Sequence, residues 1–558
     1  MSDTPPSAPP PDEFPPEEIL LGRKPAWLLT SLFLLLLAVP PLLDGLPGRV
    51  AELAAAISGK GSRQPIAERL RAYDSSVASA GFTDAPRQVT QQILTGLLHK
   101  GNDRVIIGKD GWLFYRPEIQ ALTGYGPLEP EPHSVTRDPA LLDWEAPLRP
   151  IMEFGHQLRE RGVALWLVPV PMKPSIYPEM LTGHAVTKPV RHRDASAFFQ
   201  ALEQGGSLKV VDLAPVLWNA KSKPQPNESR AFGSLYLQMD THWSMRGMKL
   251  TADHLAQKVK AEAWWKPSDG PVWQIETANV WPTYGDLHEK LGLLDQAPRS
   301  RNQVEPSLQT EELLMVHPPK EISAVADRES PIVVLGDSFV NIFDDPSLGF
   351  ERFERKERSQ SGLAWHLASE LGIGLDVHAV NGEGASGVRR WLAQRGESVV
   401  RSKKLVIWVI AERDLFLSRS VAKANRVNWD HVTFAADPPA GLHSTPSNST
   451  EPVVVEAEVI EKSEQVLPSR ANYNNALYTV QYRIRKTVSG TPVTGEVEVV
   501  HWHFKERTLQ PTSSVEIGQV YRLTLEPWAS KADLQPINRG ELGEAAPAWW
   551  SALAEPVP

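Results

Sequence analysis

The chain has 558 residues, a formal net charge of −9, no cysteine, 41% hydrophobic residues and 22% charged residues. This composition is typical of a folded protein rather than a disordered one, and the length predicts two or more domains. The lack of cysteine excludes disulfides, thiolate catalysis and zinc sites with cysteine ligands, and it is compatible with an oxidising compartment. The body of the chain has no strongly basic run, so we expect no nucleic acid partner.

The first predicted element is an uncharged apolar run at residues 25–43. About 20 apolar residues cross a bilayer as a helix, and the basic residues Arg23 and Lys24 place the preceding end in the cytoplasm. We therefore expect a disordered cytoplasmic tail at 1–24, a single-pass anchor at 25–45 and everything later outside the cytoplasm. A cleaved signal peptide is the alternative, although the run is long for one and no small-x-small site follows closely.

Residues 46–100 are predicted to form a helical stalk or cap, and a β-hairpin follows it. A strand-like segment at 104–108, a turn at 109–111 and the segment Trp-Leu-Phe-Tyr at 112–115 are a hairpin signature.

From residue 141 onward, apolar strands alternate with helices. Near-continuous apolar strands separated by helices favour a parallel sheet covered on both faces, so the fold class is α/β over 101–426. The predicted strands are 163–170, 208–213, 331–335, 375–380 and 405–410, and the predicted helices are 141–161, 193–204, 245–261, 361–371 and 387–395.

The composition changes near residue 427. Residues 427–452 are rich in proline, serine and threonine without periodicity, which indicates a linker. Beyond it the hydrophobic period becomes two, which predicts a small all-β domain at 453–540, a sandwich or a barrel, followed by a tail at 541–558.

Two short motifs about one hundred residues apart carry the chemistry. Residues 240–243 read Asp-Thr-His-Trp, and residues 336–339 read Gly-Asp-Ser-Phe directly after the apolar strand 331–335. Open α/β sheets place reactive groups at the carboxyl ends of strands. Acyl transfer needs a hydroxyl nucleophile, an imidazole that takes its proton and a carboxylate that fixes the imidazole tautomer. Taken singly, the first motif could be a solvated loop or half a metal site, and the second a helix cap.

These motifs, with Gly-Trp-Leu-Phe at 111–114, Val-Pro-Val-Pro-Met-Lys at 168–173 and Gly-Asp-Leu at 285–287, resemble the alginate O-acetyltransferase family, which has an SGNH-hydrolase-like domain. The resemblance covers roughly 100–420. Ordinary SGNH hydrolases have the serine block first, whereas this sequence has the permuted order Asp, His, Ser that the family shows. The N-terminal anchor resembles that of the membrane-tethered members.

The resemblance implies roles for individual residues. Ser338 is the nucleophile, His242 the general base and then general acid, and Asp240 the residue that orients His242. The Ser338 N–H would be one oxyanion donor, with Asn381 or Gly384 as the second. Arg413 would contact a substrate carboxylate, or pair with Glu412 or Asp414, and we favour the pairing.

The expected function is a periplasmic O-acetyltransferase, anchored in the inner membrane, that acetylates hydroxyls of an exopolysaccharide through a serine acyl-enzyme. Its expected partners are the polysaccharide acceptor and, by resemblance, a multi-pass membrane acyltransferase that relays the acetyl group; the β domain would hold glycan. We expect no cofactor and no metal. The alternatives are a carbohydrate acetyl esterase with the same triad, in which water is the acceptor, and a non-enzymatic glycan-binding scaffold.

Two other patterns compete with this interpretation. Residues 382–387 fit the dinucleotide motif G-x-G-x-x-G after a strand, but Asn381 interrupts the apolar lead-in and Glu412 comes too late for the ribose-binding acid. His501 and His503 share one strand face and could form a metal pair, but no third ligand has useful spacing, so we expect surface histidines beside a core Trp502.

Overall fold

The structure is a computed structural model of the chain. It describes residues 54, 57–58, 84–129, 146–221, 233–267, 272–279, 284–293, 312–320, 322–350, 359–425, 427–436, 452–463, 465, 468, 475–506, 508–531, 534, 536–540, 542 and 549–557. The predicted tail at 1–24 and anchor at 25–45 lie outside the described residues. Within the described ranges, no helix has both the length and the apolar character needed to cross a bilayer.

A five-stranded parallel sheet forms the centre of the α/β region, which confirms the predicted fold class. Its strand order is β4-β3-β9-β7-β8, and every neighbouring pair is parallel. The strands are β3 (Ala164–Val170), β4 (Lys209–Val210), β7 (Ile332–Gly336), β8 (Asp376–Ala379) and β9 (Leu405–Ala411).

Alternating side chains of the central strands supply the cores on the two faces of this sheet. On β7, Ile332 and Val334 belong to one buried cluster, whereas Val333 and Leu335 belong to the other. Because successive side chains of a strand point to opposite faces, a continuous apolar run is what a strand buried on both faces requires. Strand β7, which leads into the motif at 336–339, is therefore buried on both faces.

Helices cover both faces. Helices α8 and α11 contribute to one cluster, and helices α3, α6 and α12 contribute to the other. In chain order the helices are α1 (Asp84–Leu98), α2 (Arg116–Thr123), α3 (Leu148–Glu160), α4 (Lys173–Ile176), α5 (Pro178–Thr182), α6 (Ala195–Gln204), α7 (Ala214–Lys221), α8 (Met245–Lys260), α9 (Asp286–Leu291), α10 (Ser338–Asn341), α11 (Leu363–Leu371), α12 (Gly387–Ala393), α13 (Glu397–Arg401), α14 (Glu412–Phe416) and α15 (Arg419–Ala424).

Two antiparallel hairpins lie outside the parallel sheet. The first, β1 (Val105–Ile107) with β2 (Leu113–Tyr115), is the hairpin that the sequence predicts. The second, β5 (Gln274–Asn279) with β6 (Glu312–His317), is not predicted by the sequence. Its strands are separated by more than thirty residues, so no short turn signal marks the pair.

The C-terminal domain is barrel-like. Strands β10, β11, β12, β16 and β14 pair in a closed ring, and β13, β15 and β17 pair with members of that ring. The predicted domain ends at residue 540, but β16 and β17 extend it into the predicted tail. The strands are β10 (Val453–Lys462), β11 (Ala476–Ser489), β12 (Glu496–Lys505), β13 (Thr508–Leu509), β14 (Val520–Pro527), β15 (Arg539–Gly540), β16 (Trp549–Trp550) and β17 (Ala554–Pro556).

His501 and His503 are buried in this barrel rather than exposed on its surface. The Nδ1 atom of His501 lies 2.8 Å from the Ser551 carbonyl oxygen, and its Nε2 atom lies 3.0 Å from the Tyr482 hydroxyl. Burial lowers the pKa of His501 to about 4. The interpretation of His501 and His503 as surface residues was therefore wrong, because β12 turns both imidazoles inward.

Candidate active site

The carboxyl ends of four parallel strands bring Lys173 together with three of the predicted residues. Lys173 follows β3, Ser338 follows β7, Asn381 follows β8 and Arg413 follows β9. Carboxyl ends of parallel strands meet at one edge of a sheet, where open α/β proteins form their ligand crevice. A cleft at this edge is lined by Ser338, Asn381 and Arg413, among other residues.

The motifs at 240–243 and 336–339 meet as a hydrogen-bonded chain. The Nε2 atom of His242 lies 2.8 Å from Ser338 Oγ, and its Nδ1 atom lies 2.6 Å from Asp240 Oδ1. Asp240 and His242 are buried, whereas Ser338 is partly exposed to the cleft. With the ring proton on Nδ1, Nε2 is free to accept the Ser338 proton, which is the geometry of a nucleophile with its base.

Backbone donors fix the carboxylate of Asp240. Its Oδ1 atom accepts the His242 N–H at 2.9 Å, in addition to the ring, and its Oδ2 atom accepts the Asp286 N–H at 2.8 Å. Asp286 is the first residue of α9, where backbone N–H groups have no partner within the helix. The carboxylate is thus oriented from both sides before any substrate arrives.

Asp286 forms a second layer beneath this chain. Its side chain accepts the Thr241 N–H at 2.7 Å and the Thr241 hydroxyl at 2.8 Å, and it pairs with Lys290 Nζ at 2.8 Å. Burial opposes ionisation of Asp286, but the charges of Lys290 and His242, with these hydrogen bonds, outweigh it and hold its pKa below the usual value.

Lys173 is a fully buried cation that supports the same loop. Its ammonium donates to the carbonyl oxygens of Leu113 at 2.7 Å, Gln238 at 2.8 Å and Asp240 at 3.0 Å. The rings of Trp112 and Phe114 lie 5.1 and 5.3 Å from Nζ. Burial lowers the pKa of Lys173 to about 7. The side chain joins the end of β3 to the hairpin and to the backbone of Asp240.

Ser338 begins the short helix α10. Asp337 caps this helix, since its side chain accepts the Phe339 N–H at 2.9 Å. Asn381 lines the cleft beside Ser338, but its amide is partly engaged: its Nδ2 donates to Asp345 Oδ2 at 2.8 Å, and its Oδ1 accepts from Asn341 at 3.0 Å. Among the described residues, the second hydrogen of Asn381 Nδ2 has no acceptor.

Gly384, the other predicted oxyanion residue, packs closely against Asp337. A Cβ on Gly384 would come within 2.8 Å of Asp337 Oδ2, and the Gly384 carbonyl accepts the Trp408 indole N–H at 2.7 Å. Gly382, with a φ of 84°, lines the cleft, and Gly384 is not among the described residues that line it. Position 384 therefore requires glycine because the backbone passes so close to Asp337 that a Cβ atom would collide with it.

Arg413 lies at the cleft with its charge already paired. Its Nη1 atom lies 3.4 Å from Glu118 Oε1 and its Nε atom lies 3.5 Å from Asp414 Oδ1. Glu412 pairs with Arg191 at 3.0 Å instead. Burial raises the pKa of Glu118 to about 7 and that of Asp414 to about 6, with Arg413 opposing both shifts.

The barrel contributes part of the cleft wall. Asn475, Ile537 and Asn538 line the cleft together with residues of the α/β region. The Asn381 N–H donates to the Pro536 carbonyl at 2.9 Å, and the Asn538 amide donates to Glu383 at 3.1 Å. The loop after β8 is thereby held against the barrel.

Asp240, His242 and Asp286 are the one group of described residues with potential metal-ligand spacing. Their donor atoms already have partners within the protein. His242 Nδ1 bonds to Asp240, and the Asp286 carboxylate pairs with Lys290. A cation at this position would have to break the chain of hydrogen bonds that reaches Ser338.

Three groups of supporting residues had no role predicted from the sequence. Asp286 and Lys173 lie in motifs that were recognised, but only their contacts show that they support Asp240. Asn341 and Asp345, three and seven residues after Ser338, each form a hydrogen bond with the Asn381 side chain, and no local sequence signal marks these contacts. The barrel residues carry no local signal, because their position depends on domain packing.

A serine, a histidine and an aspartate are joined at the carboxyl edge of a parallel sheet, an arrangement that hydrolases and acyltransferases of several α/β folds share. Residues 105–412, more than half of the chain, match the family described as SGNH hydrolase-like domain, acetyltransferase AlgX, and the chain belongs to this family.

Curated relatives are similar over part of their length. The probable alginate O-acetylase AlgJ of Pseudomonas aeruginosa is 29% identical over 164 residues, 29% of this chain and 35% of the relative. The corresponding protein of Pseudomonas fluorescens is 24% identical over 248 residues, 44% of this chain and 55% of the relative. The chain thus spans about a third to a half of these relatives.

Solved structures are similar as well. The O-acetyltransferase domain of Pseudomonas putida AlgJ is 21% identical with a TM-score of 0.37, over 56% of this chain and 92% of that one. Pseudomonas aeruginosa AlgX is 15% identical with a TM-score of 0.36, over 76% of this chain and 90% of that one.

Proposed function

We propose that this protein is an extracytoplasmic O-acetyltransferase that moves an acetyl group from a donor to a hydroxyl of an exopolysaccharide through an acyl-enzyme on Ser338. The observation that carries the proposal is the hydrogen-bonded chain Asp240–His242–Ser338, with contacts of 2.6 and 2.8 Å at the edge of a cleft. Membership in an acetyltransferase family supports the choice of acetyl as the transferred group.

In the first half of the reaction, Ser338 Oγ attacks the donor carbonyl carbon and its proton passes to His242 Nε2. The tetrahedral intermediate collapses, the C–O bond to the leaving group breaks, and His242 returns the proton to that group. Asp240 accepts the Nδ1–H and stabilises the imidazolium that forms transiently. The Ser338 N–H, with an N–H of Asn381 or Gly382, would bind the oxyanion.

In the second half, a glycan hydroxyl attacks the acetyl-serine ester and gives its proton to His242. The new ester leaves on the glycan, and Ser338 Oγ regains the proton. The barrel wall, with Asn475 and Asn538, would position the acceptor chain. An acceptor that fills this cleft displaces water, which favours transfer over hydrolysis.

The proposal places the protein in the inner membrane by its apolar segment at 25–43, with the active site in the periplasm. The support is the length of that segment and the preceding Arg23 and Lys24. A catalytic region outside the cytoplasm has no direct access to cytoplasmic acetyl donors. We therefore propose a multi-pass membrane acyltransferase as the partner that delivers the acetyl group.

The test uses the full chain with a chromogenic acetyl ester as donor, with and without added oligosaccharide. We expect acetylated oligosaccharide from the unaltered protein, none from Ser338→Ala, and normal amounts from Ser402→Ala, which removes an exposed hydroxyl at the end of α13. Release of free acetate alone, whatever the oligosaccharide, would identify an esterase. Acetylation that persists in Ser338→Ala would exclude the acyl-enzyme.

A further inference from the structure

The described lining of the cleft has more negative than positive charge. Four carboxylates line it, those of Asp240, Asp286, Glu289 and Asp414, against the two cations Lys290 and Arg413. Asp240 is occupied by His242 and by the Asp286 N–H, so it does not add a binding group. The surface that meets an acceptor near Ser338 is therefore not electropositive.

Both cations are bound to carboxylates of the protein. Lys290 Nζ lies 2.8 Å from Asp286 Oδ2, and its side chain is only 6% exposed. Arg413 lies between Glu118 and Asp414, at 3.4 and 3.5 Å. A carboxylate on an incoming sugar would have to share these cations with the protein carboxylates, and the like charges would repel each other in a partly buried site.

The other polar groups of the cleft are neutral. Asn475, Asn538 and Ser347 line it with amide and hydroxyl groups. Such groups donate to and accept from sugar hydroxyls without the desolvation of an ion. The chemistry of the lining fits a polyol better than a polyanion.

We propose that the sugar bound at Ser338 is uncharged, so that the acceptor is a neutral glycan rather than a polyuronate. The inference rests on the proposed function and names its acceptor class. It separates this chain from the matched relatives, whose names refer to alginate, a polyuronate. The negative charge of the cleft would repel a polyuronate, and repulsion of a competing ligand is a common source of specificity.

The test compares two acceptors that differ in one group. Oligomers of β-linked mannose and β-linked mannuronate of equal length share ring stereochemistry and differ only in a hydroxymethyl against a carboxylate. With the full chain, a chromogenic acetyl ester, low salt and about pH 8, where an acid of pKa about 6 is ionised, we expect the mannose oligomer to be acetylated about tenfold faster or more.

The outcomes separate this inference from the proposed function. Equal or faster acetylation of the mannuronate oligomer would overturn the neutral acceptor and leave the acetyltransferase standing. Hydrolysis of the ester without acetylation of either oligomer would overturn both. A preference for mannose that decreases as salt is added supports the electrostatic cause, since screening weakens exposed charge interactions.

A matched pair of variants locates the effect. Asp414→Asn removes a carboxylate from Arg413 and should narrow the ratio of the two rates by about threefold or more. Glu160→Gln removes an exposed carboxylate at the end of α3 and should leave that ratio unchanged. If the two variants change the ratio equally, the cleft charge is not the cause and the inference fails.

Discussion

Two histidines, one at the sheet edge and one in the barrel, make nearly the same pair of hydrogen bonds. His242 has an oxygen of Asp240 at Nδ1 and the Ser338 hydroxyl at Nε2. His501 has the Ser551 carbonyl at Nδ1 and the Tyr482 hydroxyl at Nε2. The pattern of oxygen, imidazole and hydroxyl therefore does not by itself define an active site.

The difference lies in charge and access. Asp240 offers an ionised acceptor that stabilises an imidazolium, whereas a carbonyl offers only a dipole. Ser338 faces a cleft, but Tyr482 is fully buried. Burial also lowers the pKa of His501 to about 4, so this ring stays neutral and cannot take a proton near neutral pH. A relay needs a carboxylate behind the ring and a reachable hydroxyl in front of it.

The largest expected effect is on catalysis. His242→Ala should lower the rate of acetyl transfer by about 10⁴-fold or more, because it removes the base that activates Ser338. His501→Gln should leave this rate within about twofold, since Gln keeps a donor and an acceptor in the barrel. Steady-state transfer assays on both variants check this, and similar losses in the two would break the comparison.

The second expected effect is on stability, and it comes from Glu118, the partner of the cleft residue Arg413. The pKa of Glu118 is raised to about 7 in the folded protein, and its Oε2 has no hydrogen-bond partner within the described ranges. The contribution of Glu118 to the free energy of unfolding is therefore full below about pH 4.5, and it is lost as the pH rises through about 7. Relative to Glu118→Gln, the wild type should lose about 3 kcal/mol of unfolding free energy over that range.

Denaturant unfolding at about pH 5 and pH 8 measures this difference. Glu160→Gln is the control, because Glu160 is exposed. The free energy of unfolding of this variant should change with pH in the same way as that of the wild type. Parallel curves for Glu118→Gln as well would show that Glu118 keeps an ordinary pKa.

In the barrel, the free energy of unfolding should change with pH in the opposite direction. The folded pKa of His501 is lowered, so the unfolded chain binds more protons between about pH 4 and pH 6.5, and stability rises with pH across that window. Compared with His501→Gln, the wild type should gain about 2–3 kcal/mol between these values. The same denaturant series tests it, and a difference that falls with pH would contradict the burial of a neutral ring.

The smallest expected effect concerns Lys173, a positioning residue. Lys173→Met keeps the length of the side chain but removes three hydrogen bonds to carbonyls, one of them on Asp240. A displacement of the relay of about 1 Å costs about 10²-fold in kcat, with KM nearly unchanged. The far-downfield proton resonance of the His242–Asp240 hydrogen bond should weaken or shift.

Lys209→Met is the matched control, because Lys209 also lies over a tryptophan ring, 5.3 Å from that of Trp166, but is exposed. Lys209→Met should keep both the kcat of acetyl transfer and the far-downfield proton resonance of the His242–Asp240 hydrogen bond. A Lys173→Met variant that melts early but retains the resonance and kcat would show that Lys173 only stabilises the fold.

The fold was largely predictable because its strands are continuous apolar runs. The run at 331–335 became β7, and the strand order then followed from tertiary packing that no local pattern encodes. The long-range hairpin of β5 and β6 and the late strands β16 and β17 were missed, since Trp549–Trp550 is a strand only through its partners.

The site was predictable in its reacting groups but not in its supports. Motif order and strand ends placed Asp240, His242 and Ser338 at one edge, and the structure brings them within hydrogen-bond distance. The oxyanion role of Gly384 stays a prediction, although among the described residues Gly382 and not Gly384 lines the cleft, and no local pattern distinguishes two glycines of one tight loop. The pairing of Arg413 with Glu118 spans nearly three hundred residues and has no sequence signal.

The most direct test of the relay is to map the acetyl group on the protein. The full chain is mixed with a chromogenic acetyl ester, quenched early, digested and analysed by mass spectrometry, with and without oligosaccharide. The expected result is acetyl on Ser338 that appears within the burst and disappears as acetylated oligosaccharide forms. Acetylated oligosaccharide that forms while Ser338 stays unmodified at every time point would contradict the account.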